Sequence, residues 1–151
     1  MTQRDLEPLR AILHRSLTKY LTVTPRGLAL AGELQPAPVV EARILGFGGA
    51  RTLYREHKPA CRSLDAVASV NRDGRTCAAC EDRPACTPQV RVDLVIRRHA
   101  YRLMLAFTSA RGFLEYTARL RHEGIDILAV DHDIRVLSRG SWGELRFRCL
   151  A

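Results

Sequence analysis

Four of the five cysteines crowd into one short stretch of this chain, Cys61-x15-Cys77-x2-Cys80-x5-Cys86. The Cys77-Ala78-Ala79-Cys80 pair has the knuckle spacing that brings two thiolates to one metal. Two further thiolates complete the closed tetrahedral shell of structural Zn2+. The surrounding loop, residues 71–88, is rich in Gly, Pro, Asp and Asn. It has no apolar content to hold it, so a metal would supply what a core cannot. Disulfides suit a secreted chain, and a thioredoxin-like pair needs a strand-to-helix junction; neither context is present. Four free thiols are a poor match for so polar a loop. The expectation is a structural zinc ion held by Cys61, Cys77, Cys80 and Cys86, with His57 as a possible substitute ligand. Cys149 alternates with Leu145 and Phe147 and reads as a buried strand residue.

The second chemical signal is charge. Lys and Arg number 24 against 16 Asp and Glu, a formal net charge of +8. Lys19 and Lys58 are the only lysines, so nearly all of this charge is guanidinium. Guanidinium forks onto phosphate and stacks on bases, which suits nucleic acid; the alternative is a soluble protein that is merely basic. Catalytic signals are weak. The chain has no GxxxxGK[ST] loop, GxSxG elbow or HExxH pair. Asp131-His132-Asp133 is its one acid-and-histidine cluster, but adjacent residues on a strand point to opposite faces and cannot converge. It reads as a solvated loop before a strand, and the protein as not an enzyme.

The elements that must position these residues follow from periodicity. Leu6, Leu9, Leu13, Leu17 and Tyr20 form one stripe of a helix over residues 5–21, which either packs on the domain's own core or docks a partner or a second subunit. Residues 24–38 end in two prolines and read as a connection rather than an element. Val40, Ala42 and Ile44 then alternate with Glu41, Arg43 and Leu45, and Gly46, Gly48 and Gly49 mark a bent strand that continues to Glu56. Two strands follow, 90–97 and 100–107, as a hairpin linked by Arg98-His99-Ala100. Thr108 or Ser109 caps a helix to about His122 with Phe113, Tyr116, Thr117 and Leu120 on one face and Gly124 beyond its end. A second hairpin turns at Gly140-Ser141-Trp142-Gly143. The order strand, strand, strand, helix, strand, strand predicts a mostly β five-stranded OB-fold-like barrel, with an SH3-like barrel or an unassigned α+β sheet as competitors. The expected division is an N-terminal helix and connection over 1–37 and a barrel domain over 38–151, with the zinc loop at 56–89 between strands 1 and 2.

On such a barrel the binding face crosses strands 2 and 3, bounded by the 1–2 and 4–5 loops. That face would carry Arg43, Arg51, Arg55, Arg91, Arg97, Arg102 and Arg146 for phosphate, with Trp142 and Tyr54, and also Phe47, for stacking. For Trp142 a core position is an equal reading, and for the strand arginines an ordinary solvated sheet face is the alternative. Beyond the residues themselves, the chain resembles zinc-containing OB-fold proteins of bacteriophages and mobile elements, related to single-stranded-DNA-binding proteins. The resemblance covers residues 38–149. It rests on Arg51-Thr-Leu-Tyr54 before Cys61-Arg-Ser-Leu-Asp65, on Cys77-x2-Cys80 and Cys86, and on the apolar hairpin. Thr108-Ser109 opening the helix and Gly140-Ser-Trp142 before Leu145–Phe147 complete it. It implies binding of single-stranded DNA in replication, recombination or element transfer.

Two alternatives share these residues: an interaction module on an OB scaffold, binding a protein partner or a second copy through the N-terminal helix or the barrel face, and an RNA-binding regulator. No apolar run approaches the ~20 residues that span a bilayer, and the first ten residues lack a signal-peptide pattern, so a cytoplasmic location without membrane contact is expected.

Overall fold

The computed structural model describes residues 19–70 and 75–151. The chain enters as β1 (Lys19–Tyr20), β2 (Thr22–Thr24) and β3 (Gly27–Ala29), then runs through the long β4 (Val39–Arg55) and β5 (Lys58–Ser63). Two single-turn 3-10 helices, Cys77–Ala79 and Arg83–Ala85, precede β6 (Thr87–Ile96) and β7 (His99–Ala106). Helix α1 (Phe107–His122), β8 (Asp131–Ser138) and β9 (Gly143–Cys149) complete it. The helix predicted over 5–21 falls almost entirely outside the described residues; its last residues, Lys19 and Tyr20, form β1. The stretch expected to be a connection holds most of the β2–β3 hairpin, and its Leu28, Leu30 and Ala37, with Leu21 from the end of the predicted helix, are buried in the main core.

Strand β4 is the spine. Residues 39–43 pair with β8, 43–52 with β6 and 51–55 with β5, all antiparallel. The glycine run does mark a bulge: register shifts between Ile44 and Gly46, so Ile44 and Leu45 are both buried, on opposite sides of the sheet. Ile44 joins the main core, whereas Leu45, expected on the polar side, packs with Val95 in a small second cluster. The β6–β7 hairpin forms, but its turn is Arg97-Arg98, both in the left-handed region at φ 48° and 67°, and not Arg98-His99-Ala100. Two central residues with positive φ are what a two-residue hairpin needs to match strand twist. Glu56-His57 repeat the device at φ 50° and 63° and create β5, inside what was expected to be a metal loop.

The five-stranded barrel is not what forms. One seven-stranded sheet runs in the order β1-β7-β6-β4-β8-β9, with β5 on β4; its pairing is mixed, β1 lying parallel to β7, and it does not close. The reason lies at the junction of β7 and α1. The helix begins directly at Phe107, and instead of capping it Ser109 offers its Oγ to the Leu145 N–H at 3.1 Å. A β9 donor that would bond a neighbouring strand is thereby taken by the helix. Phe113, Tyr116 and Leu120, the predicted helical stripe, bury against the sheet, and Phe113 lies edge-on between Phe47 and Phe147 at 5.2 and 4.9 Å. On the other side Gly143 passes so close to the Thr24 carbonyl that an added Cβ would sit 2.5 Å from it, which seats the β2–β3 hairpin against the start of β9.

Candidate functional site

The cysteine loop does not supply the expected metal centre. Cys61, Cys77, Cys80 and Cys86 line one cavity of about 20 Å3 together with Arg51 and Arg83, and all are half-buried free thiols. Among the described residues, however, no group of three or more His, Cys, Asp or Glu side chains is placed to hold a metal ion. The sulfurs have other partners: Cys61 Sγ lies 3.3 Å from Ser69 Oγ, and Cys86 Sγ donates to the Asp82 carbonyl at 3.5 Å. Burial, and then the neighbouring cysteines, push the Cys86 thiol up. The loop is held by backbone bonds, Cys77 N–H to Val67 C=O at 2.7 Å and Ser69 N–H to Arg75 C=O at 2.9 Å. Asp65 organises it further: its carboxylate accepts from Val67 N–H, Ala68 N–H and Ser63, which holds it below the usual carboxylate range. The sequence treated this segment as unable to hold itself, and these turns are what it missed. His57 sits exposed in the β4–β5 turn, and the zinc expectation is withdrawn with its four ligands.

All but Arg51 of the arginines expected to bind nucleic acid are engaged with carboxylates. Arg102 is buried on Asp93 (2.9 Å), and Arg91 reaches the same carboxylate at 3.1 Å while donating to the Leu64 carbonyl at 2.7 Å. Arg43 donates to Asp131 at 2.7 Å, a bond that holds the Asp131 carboxyl below its usual range. Arg97 pairs with Glu33, Arg55 with Asp82 (3.4 Å) and Arg146 with Glu144 (3.0 Å). Arg51 turns toward the cysteine cavity. Of the stacking candidates, Phe47 is used on Phe113 and the Tyr54 hydroxyl accepts from Gln89 at 3.3 Å. The aromatic cluster of Phe113, Tyr116 and Phe147 is mostly buried. Without a closed barrel, a zinc site or free face arginines, the expectation of a single-stranded-DNA face fails, and with it the RNA variant that used the same residues.

Asp131-His132-Asp133 opens β8 rather than preceding it, and its members point apart as strand geometry requires. Asp131 meets Arg43 and Asp133 meets Arg148, while His132 is fully buried. The Ile127 carbonyl, 2.8 Å from His132 Nε2, can only accept, so Nε2 carries the proton and Nδ1 accepts from the Tyr116 hydroxyl at 2.6 Å. Burial lowers the His132 pKa and raises that of Tyr116. This is a closed structural pair.

What remains open is the seam where the sheet fails to close. Strand β1 covers β7 only at Tyr101 and Arg102; beyond that point β7 has no strand on its outer edge among the described residues. The Arg102 carbonyl faces outward, accepting from the Leu21 N–H at 2.8 Å. By strand alternation the N–H and C=O of Met104 face the same way. There a cleft of about 460 Å3 opens, floored by Leu105 and Leu145 and walled by Val23, Met104, Phe107 and Trp142. Phe107 is 79% exposed and stands at φ 48°, a conformation that costs a bulky residue roughly 1–3 kcal/mol. Trp142, 48% exposed on the opposite lip, is not a core residue. The sequence pointed to Trp142 but missed Phe107, which continues the alternation of Leu103 and Leu105 and so reads as buried. The available signal was a strand running into a helix with no linker, which forces the chain to reverse at residue 107.

No protein-family model, curated protein or solved structure matches this chain significantly. The resemblance to zinc-containing OB-fold proteins therefore finds no support from relatives, and the absent metal cluster and the open sheet overturn it. No helix of the described residues is long and apolar enough to cross a membrane.

Proposed function

We propose that this domain is a non-enzymatic, cytoplasmic binding module that takes up an extended segment of a partner polypeptide at the seam between β7 and β9. It is not the barrel-face or N-terminal-helix contact considered from the sequence; it uses an edge that exists because the sheet stays open. The observation that carries the reading is Phe107. An aromatic that is 79% exposed and held at positive φ gains little from burial and costs the fold free energy, which is the pattern expected of a residue kept for contact. Beside it, Met104 offers a backbone donor and a backbone acceptor together. That pairing suits a peptide strand, with main-chain bonds giving affinity and the flanking side chains giving selectivity. Five free thiols fit a reducing compartment.

The test is a selection of displayed random peptides on the full-length chain, followed by titration of synthetic copies of the enriched sequences. Trp142 is the only tryptophan, so its fluorescence reports on the cleft directly. Backbone N-methylation at alternate positions of an enriched peptide should abolish binding in one register and spare it in the other. Indifference to N-methylation in both registers, or peptides that leave Trp142 emission unchanged, would overturn the reading.

A further inference from the structure

Away from the seam, we infer that Cys77 and Cys80 form a redox-active dithiol, oxidised by hydrogen peroxide to a disulfide and returned to thiols by glutathione. The Cys80 N–H donates to the Cys77 carbonyl at 3.3 Å across the first 3-10 turn. A turn of this kind keeps the Cα atoms at its ends within about 7 Å. A disulfide spans about 4.4–6.8 Å between Cα atoms, so the backbone holds this pair within bridging reach. Both thiols are half-buried, unbridged and open on the cavity of about 20 Å3. Such a space admits little more than one water-sized molecule, which hydrogen peroxide resembles. Arg51, Arg75 and Arg83 line the same cavity. A guanidinium beside a thiol favours the thiolate, the attacking form, and its N–H groups donate to the oxygen that leaves. The other two cysteines of the cavity have their sulfurs turned elsewhere. Cys61, on β5, has Ser69 Oγ at 3.3 Å, and Cys86, closing the second 3-10 turn, has its Sγ on the Asp82 carbonyl. Burial pushes the Cys86 thiol up, which makes it the poorer nucleophile.

The setting is one 3-10 turn and not the strand-to-helix junction of thioredoxin-like pairs, and the loop is held by its backbone bonds whether or not the sulfurs are joined. The chemistry takes two steps. One thiolate of the pair attacks an oxygen of the peroxide; the S–O bond forms, the O–O bond breaks, and the second oxygen leaves with the thiol's proton as water. The sulfur is then a sulfenic acid. The neighbouring thiol attacks that sulfur; the S–S bond forms, the S–O bond breaks, and a second water leaves. Two thiols and one hydrogen peroxide thus give one disulfide and two waters, with two electrons passing from sulfur to oxygen. Two molecules of glutathione reverse the oxidation by exchange and leave as their own disulfide.

The test is titration of the reduced full-length protein with hydrogen peroxide, in buffer holding a metal chelator. Free thiols should fall from five per chain by two for each peroxide consumed. After alkylation, mass mapping should find the Cys77–Cys80 segment lighter by two hydrogens, with Cys61, Cys86 and Cys149 alkylated. The pair should react at least about tenfold faster than Cys149, and concentrated urea, which disperses the cavity, should remove most of that advantage. Reduced glutathione should restore all five thiols. Cys86→Ser should leave the link in place, and Cys80→Ser should abolish it and expose a sulfenic acid at Cys77 to trapping by dimedone. A link in the parent chain that joins any other pair overturns the assignment. So does a reaction no faster than that of Cys149, or one that urea leaves unchanged. Thiols that glutathione does not restore would mean oxidation to sulfinic acid, and the reversible dithiol would fail.

Discussion

Strand β7 has two ends that differ in almost everything that matters. At Tyr101 and Arg102, toward its His99 end, both edges are used: β6 pairs on one side, β1 on the other, and the guanidinium of Arg102 is buried against Asp93. At its Ala106 end the outer edge carries no strand among the described residues, the chain reverses through a strained residue, and two aromatics face water. The first arrangement satisfies polar groups at the cost of desolvating charge, so it makes sense only as structure. The second leaves a backbone donor, a backbone acceptor and apolar area unspent, so it makes sense only with something added.

That contrast breaks first, and most visibly, at Asp93. Replacing it with Asn removes the carboxylate against which Arg102 is buried and takes one partner from Arg91. Breaking a buried pair in this way costs about 3 kcal/mol, while Arg148→Gln, which removes an exposed partner of Asp133, should cost less than about 0.5 kcal/mol. Urea denaturation midpoints of the two variants measure the difference. Similar midpoints would mean that the Asp93 cluster is no more than a surface pair.

A smaller effect separates the closed core from the open seam by pH. His132 has no exposed surface, and burial holds its pKa below the ordinary imidazole value. The neutral ring is therefore required by the fold, whereas the unfolded chain protonates it. Stability is complete above about pH 6.5 and declines as pH falls below that value toward the lowered folded pKa, by at most about 1.4 kcal/mol per pH unit. Peptide binding at the seam involves no such group and should stay flat over the same window. Denaturation midpoints at about pH 7.5 and 5.5, taken beside peptide affinities, test this. A seam affinity that tracks the stability loss would couple the two regions.

How far all this could be read from the sequence depended on the kind of signal. Side-chain period was legible: the stripe of Phe113, Tyr116 and Leu120, the alternation through Val92, Leu94 and Leu103, and the bulge near Gly46 all lie where they were expected. Turns were not, because Arg97-Arg98 and Glu56-His57 adopt positive φ with none of the Asn or Gly that normally announces it. The missing β5 followed from that. Closure of the sheet was illegible for a different reason. Part of it is carried by the hydroxyl of Ser109, which the sequence offered, with Thr108, as a helix cap and which in the fold accepts from the Leu145 N–H. The cysteine frame misled because spacing says which thiols lie near one another, not whether their sulfurs converge on a point.

The smallest stability effect is also the sharpest test of the comparison. Phe107→Asn places at φ 48° a residue that tolerates the left-handed region, and it removes a side chain whose burial contributes little. On structural grounds the variant should be more stable than the parent, by up to about 1 kcal/mol, because strain is relieved and almost no packing is lost. On functional grounds it should lose one wall of the cleft, and peptides selected on the parent should bind at least about tenfold more weakly. A substitution that stabilises the fold while removing binding is what a residue kept for contact produces, since natural chains tolerate such strain where activity requires it. Thermal midpoints and Trp142 titrations on one preparation supply both readings. A Phe107→Asn chain that is less stable than the parent would show that the ring packs more than its exposure indicates. A chain that keeps full affinity would leave the open end of β7 without a use for its aromatic.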